Sequence, residues 1–518
     1  MRFGLVYTSL LALTLPLGLA AQSAQQLRKA ADGITADVIR QRIGVIAHDS
    51  MGGRNTPSPG LEKTAAYLAG LYQKWGMKPA GENGTWYQRY PMVKKGINQA
   101  TAELEVTENG VVSRYPMGEF AYAFGGGSPA PISAPGILLG GAITPADLEG
   151  RDLTGQIVLV VMDAGKMIDG NRLVQAVARM QPAALIVLRN DAPEAFARGR
   201  AAQTSPRYQL EKAGSSTLPT ILALHDQLFA GDPMAASRPN FADIRSSTTP
   251  VIMPFPPEAS VKITAVEEVF DRVMVPNVVG MIEGSDPVLK QEYVIYSAHM
   301  DHVGTVGDGV GGCSHRGDDD RSDMICNGAD DDASGTTGIA AIGEAFAGLP
   351  TKPKRSIIIL NVSGEEKGLL GSEWYSDHPT VPLDKIVANF NLDMIGRNNP
   401  DSIVVIGQEH SNLGATLAAV NARHPELRMT TSEDLWPEQR FYERSDHFNF
   451  ARYGVPVLFF FNGIHDQYHR VADHVDLIDT DKLSRVARIA FYAGAEVAHT
   501  VERPKWDPAS YEKFVVKK

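Results

Sequence analysis

A small set of acidic and histidine residues recurs just after apolar, strand-like runs. In chain order they are His299 and Asp301 in Tyr-Ser-Ala-His-Met-Asp, Asp331 in Gly-Ala-Asp-Asp-Asp-Ala-Ser-Gly, Glu365-Glu366, Asp393 in Asn-Leu-Asp-Met, and His469. Imidazoles and carboxylates suit hard-to-borderline divalent ions. Two imidazoles and three carboxylates satisfy a pair of such ions if one carboxylate bridges them. Ions about 3.5–4 Å apart can share a water and lower its pKa. A carboxylate left off the metals can take that water's proton and return it to a leaving amine. Neighbouring side chains diverge at a strand-to-loop turn, so Glu365 and Glu366 can split these duties. The set suits hydrolysis with two metals.

Each motif has a plainer reading by itself. Glu365-Glu366 could open a helix, where carboxylates are favoured. Asp330-Asp331-Asp332 could be capping and surface charge. His299 could be a core histidine bonded to Asp301, two residues along the same face of an extended segment. Their joint occurrence after buried strands favours the metal reading. His302, His315, His410, His424, His465 and His474 read as loop or surface residues.

The elements that must position this set form strand–helix alternation. Near-continuous apolar strands are expected at 293–298, 356–362, 386–392, 403–406 and 455–461, with helices at 335–346, 368–376, 412–422 and 482–499. That pattern implies an α/β fold with a doubly wound, mostly parallel sheet. Its ligands belong beyond the carboxyl ends of the strands, where these residues fall. Upstream, helical periodicity covers 24–48 and 61–75, around a Gly/Pro-rich loop from Gly52-Gly53-Arg54 to Gly60. Between 128 and 254 the composition turns Ala- and Pro-rich and no ligand cluster appears. Strands at 156–162, 184–188 and 217–222 suggest a smaller β-rich domain inserted in the larger one, with the Pro-rich stretch 250–257 as its exit linker. The expected domains are a signal peptide over 1–20, a discontinuous catalytic domain over 21–127 and 255–518, and the insertion over 128–254.

The bulk properties fit an exported globular protein. The chain has 518 residues, 43% hydrophobic and 21% charged, and a net charge of −11. That balance argues against a nucleic-acid surface. Met1-Arg2 precede an apolar run, and Gly18 and Ala20 are small residues suited to cleavage after Ala20. The run is short for a spanning helix, and Pro16 interrupts it. The expected location is therefore periplasmic or extracellular, with no membrane attachment after cleavage. The two cysteines, Cys313 and Cys326, form either a disulfide, as export permits, or two free thiols.

Taken in order, the motifs resemble the co-catalytic di-zinc aminopeptidase family, which also includes glutamate-carboxypeptidase-like enzymes. The matching pieces are His-Met-Asp at 299–301, Asn-Gly-Ala-Asp-Asp-Asp-Ala-Ser-Gly at 327–335 and Gly-Glu-Glu-Lys-Gly-Leu-Leu-Gly-Ser at 364–372. Asn-Leu-Asp-Met-Ile-Gly at 391–396, Ser-Asp-His-Phe-Asn-Phe at 445–450 and Tyr-His-Arg-Val-Ala-Asp at 468–473 complete them. The resemblance implies two Zn2+ per chain with Asp331 bridging. His299 and Asp393 would complete one site, and Glu366 and His469 the other. Glu365 would be the general base, Asp301 would orient His299, and Asp473 would support His469. Tyr442 matches a position where some members place an oxyanion-stabilising tyrosine. The segment 128–254 is similar to the family's protease-associated domain, chiefly through Leu153-Thr-Gly-Gln-Ile-Val-Leu-Val-Val161.

The implied activity is a secreted di-zinc aminopeptidase acting on peptide substrates. A carboxypeptidase or dipeptidase is the alternative. It would need a basic group for the substrate carboxylate, and Arg397, Arg440, Arg444 and Arg470 lie near the motifs. A glutaminyl cyclase would use a single zinc, and a binding scaffold with a dead site would need neither metal pair nor base. The retained ligand set and Glu365 argue against both. The segment 303–327 joins two metal motifs, so it should lie at the rim of the site, either narrowing it or forming a pinned surface loop.

Overall fold

A computed structural model describes residues 16–212, 219–230, 240–308 and 312–516. The export signal read over 1–20 lies mostly outside the described residues. Among the described residues, no helix is long and apolar enough to cross a membrane. The chain divides into two compact units, one of Met1–Tyr90 with Met274–Lys518, the other of Pro91–Val273.

The first unit is built on a sheet whose strands we number β1 (Glu267–Ile282), β2 (Tyr293–His299), β3 (Ser356–Val362), β4 (Ile386–Leu392), β5 (Ser402–Ile406), β6 (Thr430–Ser432) and β7 (Val457–Phe461). Their spatial order is β1-β3-β2-β4-β7-β5-β6. β3, β2, β4 and β7 are mutually parallel; β1 and β5 run antiparallel to their neighbours β3 and β7. Every residue of β2, β3 and β4 is buried. That is why these strands read as unbroken apolar runs: both faces of a parallel sheet are covered.

One face is covered by the helices Ala36–Ile46, Pro59–Lys74, Ala333–Ala347 and Thr480–His499. The other carries an aromatic cluster that includes Tyr375, Phe441, Phe450, Phe459 and Phe461. The Ala333–Ala347 helix lies close to the strands because it is rich in small residues. A Cβ on its Gly335 would stand 2.0 Å from the Leu392 carbonyl oxygen. Side chains start these helices where backbone N–H groups lack partners. Ser58 accepts from Leu61 N at 3.1 Å, and Asp332 from Gly335 N at 2.8 Å.

The second unit holds a six-stranded sheet and a four-stranded one. In the former, Gly136–Gly141, Ile157–Val161, Ala184–Arg189 and Thr220–His225 are parallel in that order. Ala121–Gly125 and Pro250–Pro254 flank them antiparallel. A shared core includes Leu104, Ile157, Ile186, Leu222 and Ile263. The Pro-rich stretch read as a linker is thus, over Pro250–Pro254, an edge strand, the place where a sheet tolerates proline. The unit also begins earlier and ends later than the 128–254 segment, because Glu103–Glu108 and Ala259–Thr264 pair with each other in the four-stranded sheet.

Candidate metal centre

The carboxyl ends of β2, β3 and β4 bring His299, Glu365 with Glu366, and Asp393 to one place. Asp331 arrives from the loop before the Ala333–Ala347 helix, and His469 from the loop after β7. His299 Nε2 lies 3.3 Å from Asp331 Oδ1 and 3.6 Å from Asp393 Oδ1. His469 Nε2 lies 3.2 Å from both Asp331 Oδ2 and Glu366 Oε2. Two buried groups could each hold a metal ion: His299 with Asp331 and Asp393, and His302 with Asp331 and Glu366. Asp331 belongs to both.

His302 is the member that sequence reasoning missed. It is fully buried, and its Nδ1 lies 2.9 Å from Glu366 Oε1. Its ring and that of His469 meet edge to face at 5.7 Å. The second position is therefore offered two imidazoles. His465, also read as a surface residue, has its Nε2 3.3 Å from buried Asp330 Oδ2.

The surrounding residues fix these side chains. Asp301 lies behind His299, with its Oδ1 3.7 Å from His299 Nδ1, which leaves Nε2 facing the carboxylates. Asp301 itself accepts from Thr56 Oγ1 at 2.9 Å and Glu365 N at 3.3 Å. Ser445 Oγ donates to Asp393 Oδ2 at 2.7 Å and accepts from Asn391. Asp473 Oδ2 accepts from Asp330 N at 3.0 Å and Asp331 N at 3.3 Å, so it holds the Asp331 loop rather than His469. The guanidinium of Arg54, fully buried, donates to the carbonyls of Ile46, Met300, Asn327 and Gly328. Gly364 turns the chain out of β3 with a φ of 70°, and a Cβ there would meet Tyr90 Oη at 2.7 Å.

Cys313 and Cys326 form a disulfide. The segment they close braces His469. Ser314 N donates to the His469 carbonyl at 3.2 Å, and Val471 N to the Ser314 carbonyl at 3.2 Å. Arg470 adds a bidentate contact to Asp319 and a bond to the Arg316 carbonyl at 2.6 Å. Among the described residues, the segment does not line the pocket beside the cluster.

That pocket is lined by His299, Asp331, Glu365 and Asp393 on its polar side. Met394, Phe441, Phe459, Phe461, Ile464 and Tyr468 form the rest, with Arg444. Tyr442 is not among these residues. Its ring packs against His410, His447 and Phe514, and its hydroxyl is buried there. The tyrosine beside the cluster is Tyr468, which stacks on His469 at 3.9 Å. Burial raises its hydroxyl pKa, and the charges of Asp331, Glu366, Glu365 and Asp393 raise it further.

The electrostatics call for cations. Burial would raise Asp331, yet the imidazoles of His302, His299 and His469 hold its carboxyl well below the usual range. Burial and the Asp331 charge would raise Glu366, yet His302 and His469 hold it at about 2. Burial would lower the imidazoles, but the carboxylates lift His299 well above its ordinary value and His469 to about 10. Asp331 Oδ2 and His469 Nε2 are both buried without a hydrogen-bond partner. Such groups are costly unless a charge satisfies them, and the donor set fits divalent zinc. Glu365 departs in the other direction. Burial pushes its carboxyl well above the usual range, and Glu366, Asp446 and Asp393 add to the push against His299.

A parallel sheet whose strand ends gather buried imidazoles and carboxylates around one shared aspartate has the makings of a metal-binding centre. Residues 277–494 match the model of peptidase family M28. Over that span the chain resembles a peptidase of this family, and the match includes every residue of the two groups that could hold a metal ion. Among solved structures, the chain is similar to an aminopeptidase from Aneurinibacillus sp. strain AM-1, at 19% identity and a TM-score of 0.51, covering 92% of this chain and 97% of that one. A zinc aminopeptidase from Bacillus subtilis aligns at 16% identity and a TM-score of 0.47, covering 90% and 96%. A peptidase M28 precursor from Shewanella amazonensis SB2B aligns at 16% and 0.44, covering 94% and 98%. The first of these likenesses supports the fold. No curated protein matches the chain.

Proposed function

We propose that the chain is an exported aminopeptidase that binds two zinc ions and releases N-terminal residues from peptides. The observation that carries this reading is the position of Glu365. It lines the pocket beside His299, Asp331 and Asp393, yet belongs to neither group that could hold a metal. His299, Asp331 and Asp393 would hold one ion, and Asp331, Glu366 and His469 the other, with His302 bonded to Glu366. Bound there, the two ions would polarise the scissile carbonyl and acidify a shared water.

The chain's own residues do the rest. Glu365 takes a proton from the attacking water on a carboxylate oxygen and delivers it to the leaving nitrogen. Asp301 keeps His299 Nε2 toward the carboxylates, and Ser445 steadies Asp393. Tyr468, on the pocket wall, would donate to developing negative charge, the role the resemblance implies for Tyr442. The reading extends to the second unit as a protease-associated domain, which the strand Ile157–Val161 and its parallel neighbours support.

Digestion of free, N-acetylated and C-amidated forms of one peptide tests the end specificity. Acetylation should block release and amidation should not; the opposite pattern means a carboxypeptidase. Glu365→Gln should retain about two zinc ions while turnover falls by roughly 10²–10⁴-fold. Near-normal turnover removes Glu365 from its role.

A further inference from the structure

Four arginines lie near the motifs, and three are engaged within the protein. Arg397 donates to Gln467 Oε1 at 2.8 Å and lies 3.8 Å from Asp473. Arg440 pairs with Glu443. Arg470 grips Asp319 and the Arg316 carbonyl. Arg444 differs. It lines the pocket, and among the described residues its guanidinium meets no carboxylate and no carbonyl. The guanidinium lies over the face of Phe441, 4.7 Å from the ring centroid.

The base of Arg444 is fixed tightly although its head is exposed. Its backbone N–H donates to the Phe441 carbonyl at 3.0 Å. The next residue, Ser445, is buried and bonded to Asp393. The side chain therefore reaches the pocket from a base tied to the metal centre. The neighbouring wall residues Phe441, Phe459, Phe461 and Ile464 offer it no acceptor side chain. The pocket's carboxylates Asp331 and Asp393 belong to the groups that could hold metal. A guanidinium so placed lacks its natural partner, a carboxylate held through paired N–H donors.

We propose that Arg444 selects substrates carrying a carboxylate close to the scissile bond, a deepening that rests on the aminopeptidase reading above. Two sources share that chemistry: the acidic side chain of an N-terminal residue, and the free carboxyl terminus of a very short peptide. An N-terminal ammonium is repelled by Arg444 and attracted by the acidic side of the pocket. This polarity would orient a doubly charged substrate across the site.

The test uses the zinc-loaded full chain and two matched substrate pairs, with kcat/KM as readout. Leu-Gly against Leu-Gly-amide reports on a terminal carboxylate. Glutamyl against glutaminyl 4-nitroanilide reports on an acidic side chain. The native protein should favour the charged member of at least one pair by roughly tenfold, the size of an exposed charge-assisted bond. In Arg444→Gln the ratio for that pair should fall toward one, mainly through KM, and in Arg444→Lys it should return in part. The pair that responds names the source. A charged-to-neutral ratio that is the same in Arg444→Gln as in the native protein, for both pairs, overturns the proposal. Because Arg444 is exposed, the variants should fold, and matching zinc content and thermal unfolding confirm it. If no member of either pair is cleaved while N-acetylated peptides are, the aminopeptidase reading fails and this inference falls with it.

Discussion

His299 and Asp393 stand directly at the ends of two neighbouring parallel strands, whereas Glu366, His302 and His469 lie in the connections beyond strand ends. The first position is built by the sheet. β2 and β4 pair in parallel register, and Asp332 ties their ends together, accepting from His299 N and Met394 N at 3.2 Å each. The second position has no such frame. His469 sits on a backbone with a φ of 56°, and its carbonyl is gripped by Ser314 in the disulfide-closed segment. The difference teaches that one half of the centre inherits its precision from the fold. The other half must be braced by covalent and ionic contacts of its own.

The strongest way to break this comparison is to remove what the halves share. Asp331→Ala should abolish binding at both positions and reduce hydrolysis to background. Metal analysis showing one tightly held zinc would mean that the positions do not depend on one bridge. A smaller change separates the two imidazoles of the second position. His469→Ala should lose one zinc and at least 100-fold in activity. His302→Ala should keep both zinc ions and weaken the second by roughly 10- to 100-fold, as expected for a residue that orients a ligand. Zinc competition titrations giving the reverse order would exchange their roles. The mildest change sharpens the contrast. Cys313→Ser should weaken only the second zinc, by up to about tenfold, and lower stability by about 2–3 kcal/mol through the opened loop. Equal weakening of both zinc ions would show that the brace serves the whole centre.

Much of this was legible in the chain. The strands Tyr293–His299, Ser356–Val362 and Ile386–Leu392 are buried throughout, so their apolar runs mark them in sequence. A polar residue directly after such a run stands at a strand end, which is how His299, Glu365, Glu366 and Asp393 could be grouped. His302 escaped because alternation along an extended segment puts it opposite His299 and Asp301. The strand ends at His299, alternation lapses, and His302 turns back toward Glu366. Tyr442 shows the converse. A motif position suggested it, but a short helical turn, Phe441–Glu443, sends Phe441 to the pocket and the tyrosine ring into an aromatic cluster. The bounds of the second unit were hidden because a strand such as Ala259–Thr264 finds its partner about 150 residues upstream.

Arg54 gives the matched family segment a dependence on residues outside it. The peptidase match begins at residue 277, yet the loops that carry Met300, Asn327 and Gly328 are strapped by a guanidinium from far upstream. Among the described residues, the Met300 and Asn327 carbonyls, packed away from water, would otherwise be left without donors. A recombinant piece cut at the boundaries of the family match would lack the strap and could not preorganise its Asp331 loop. A piece that keeps the strap must reach back past Arg54 to Ile46, whose carbonyl is the strap's remaining anchor. Maturation of the site therefore waits on two stretches of chain made at widely separated times during synthesis.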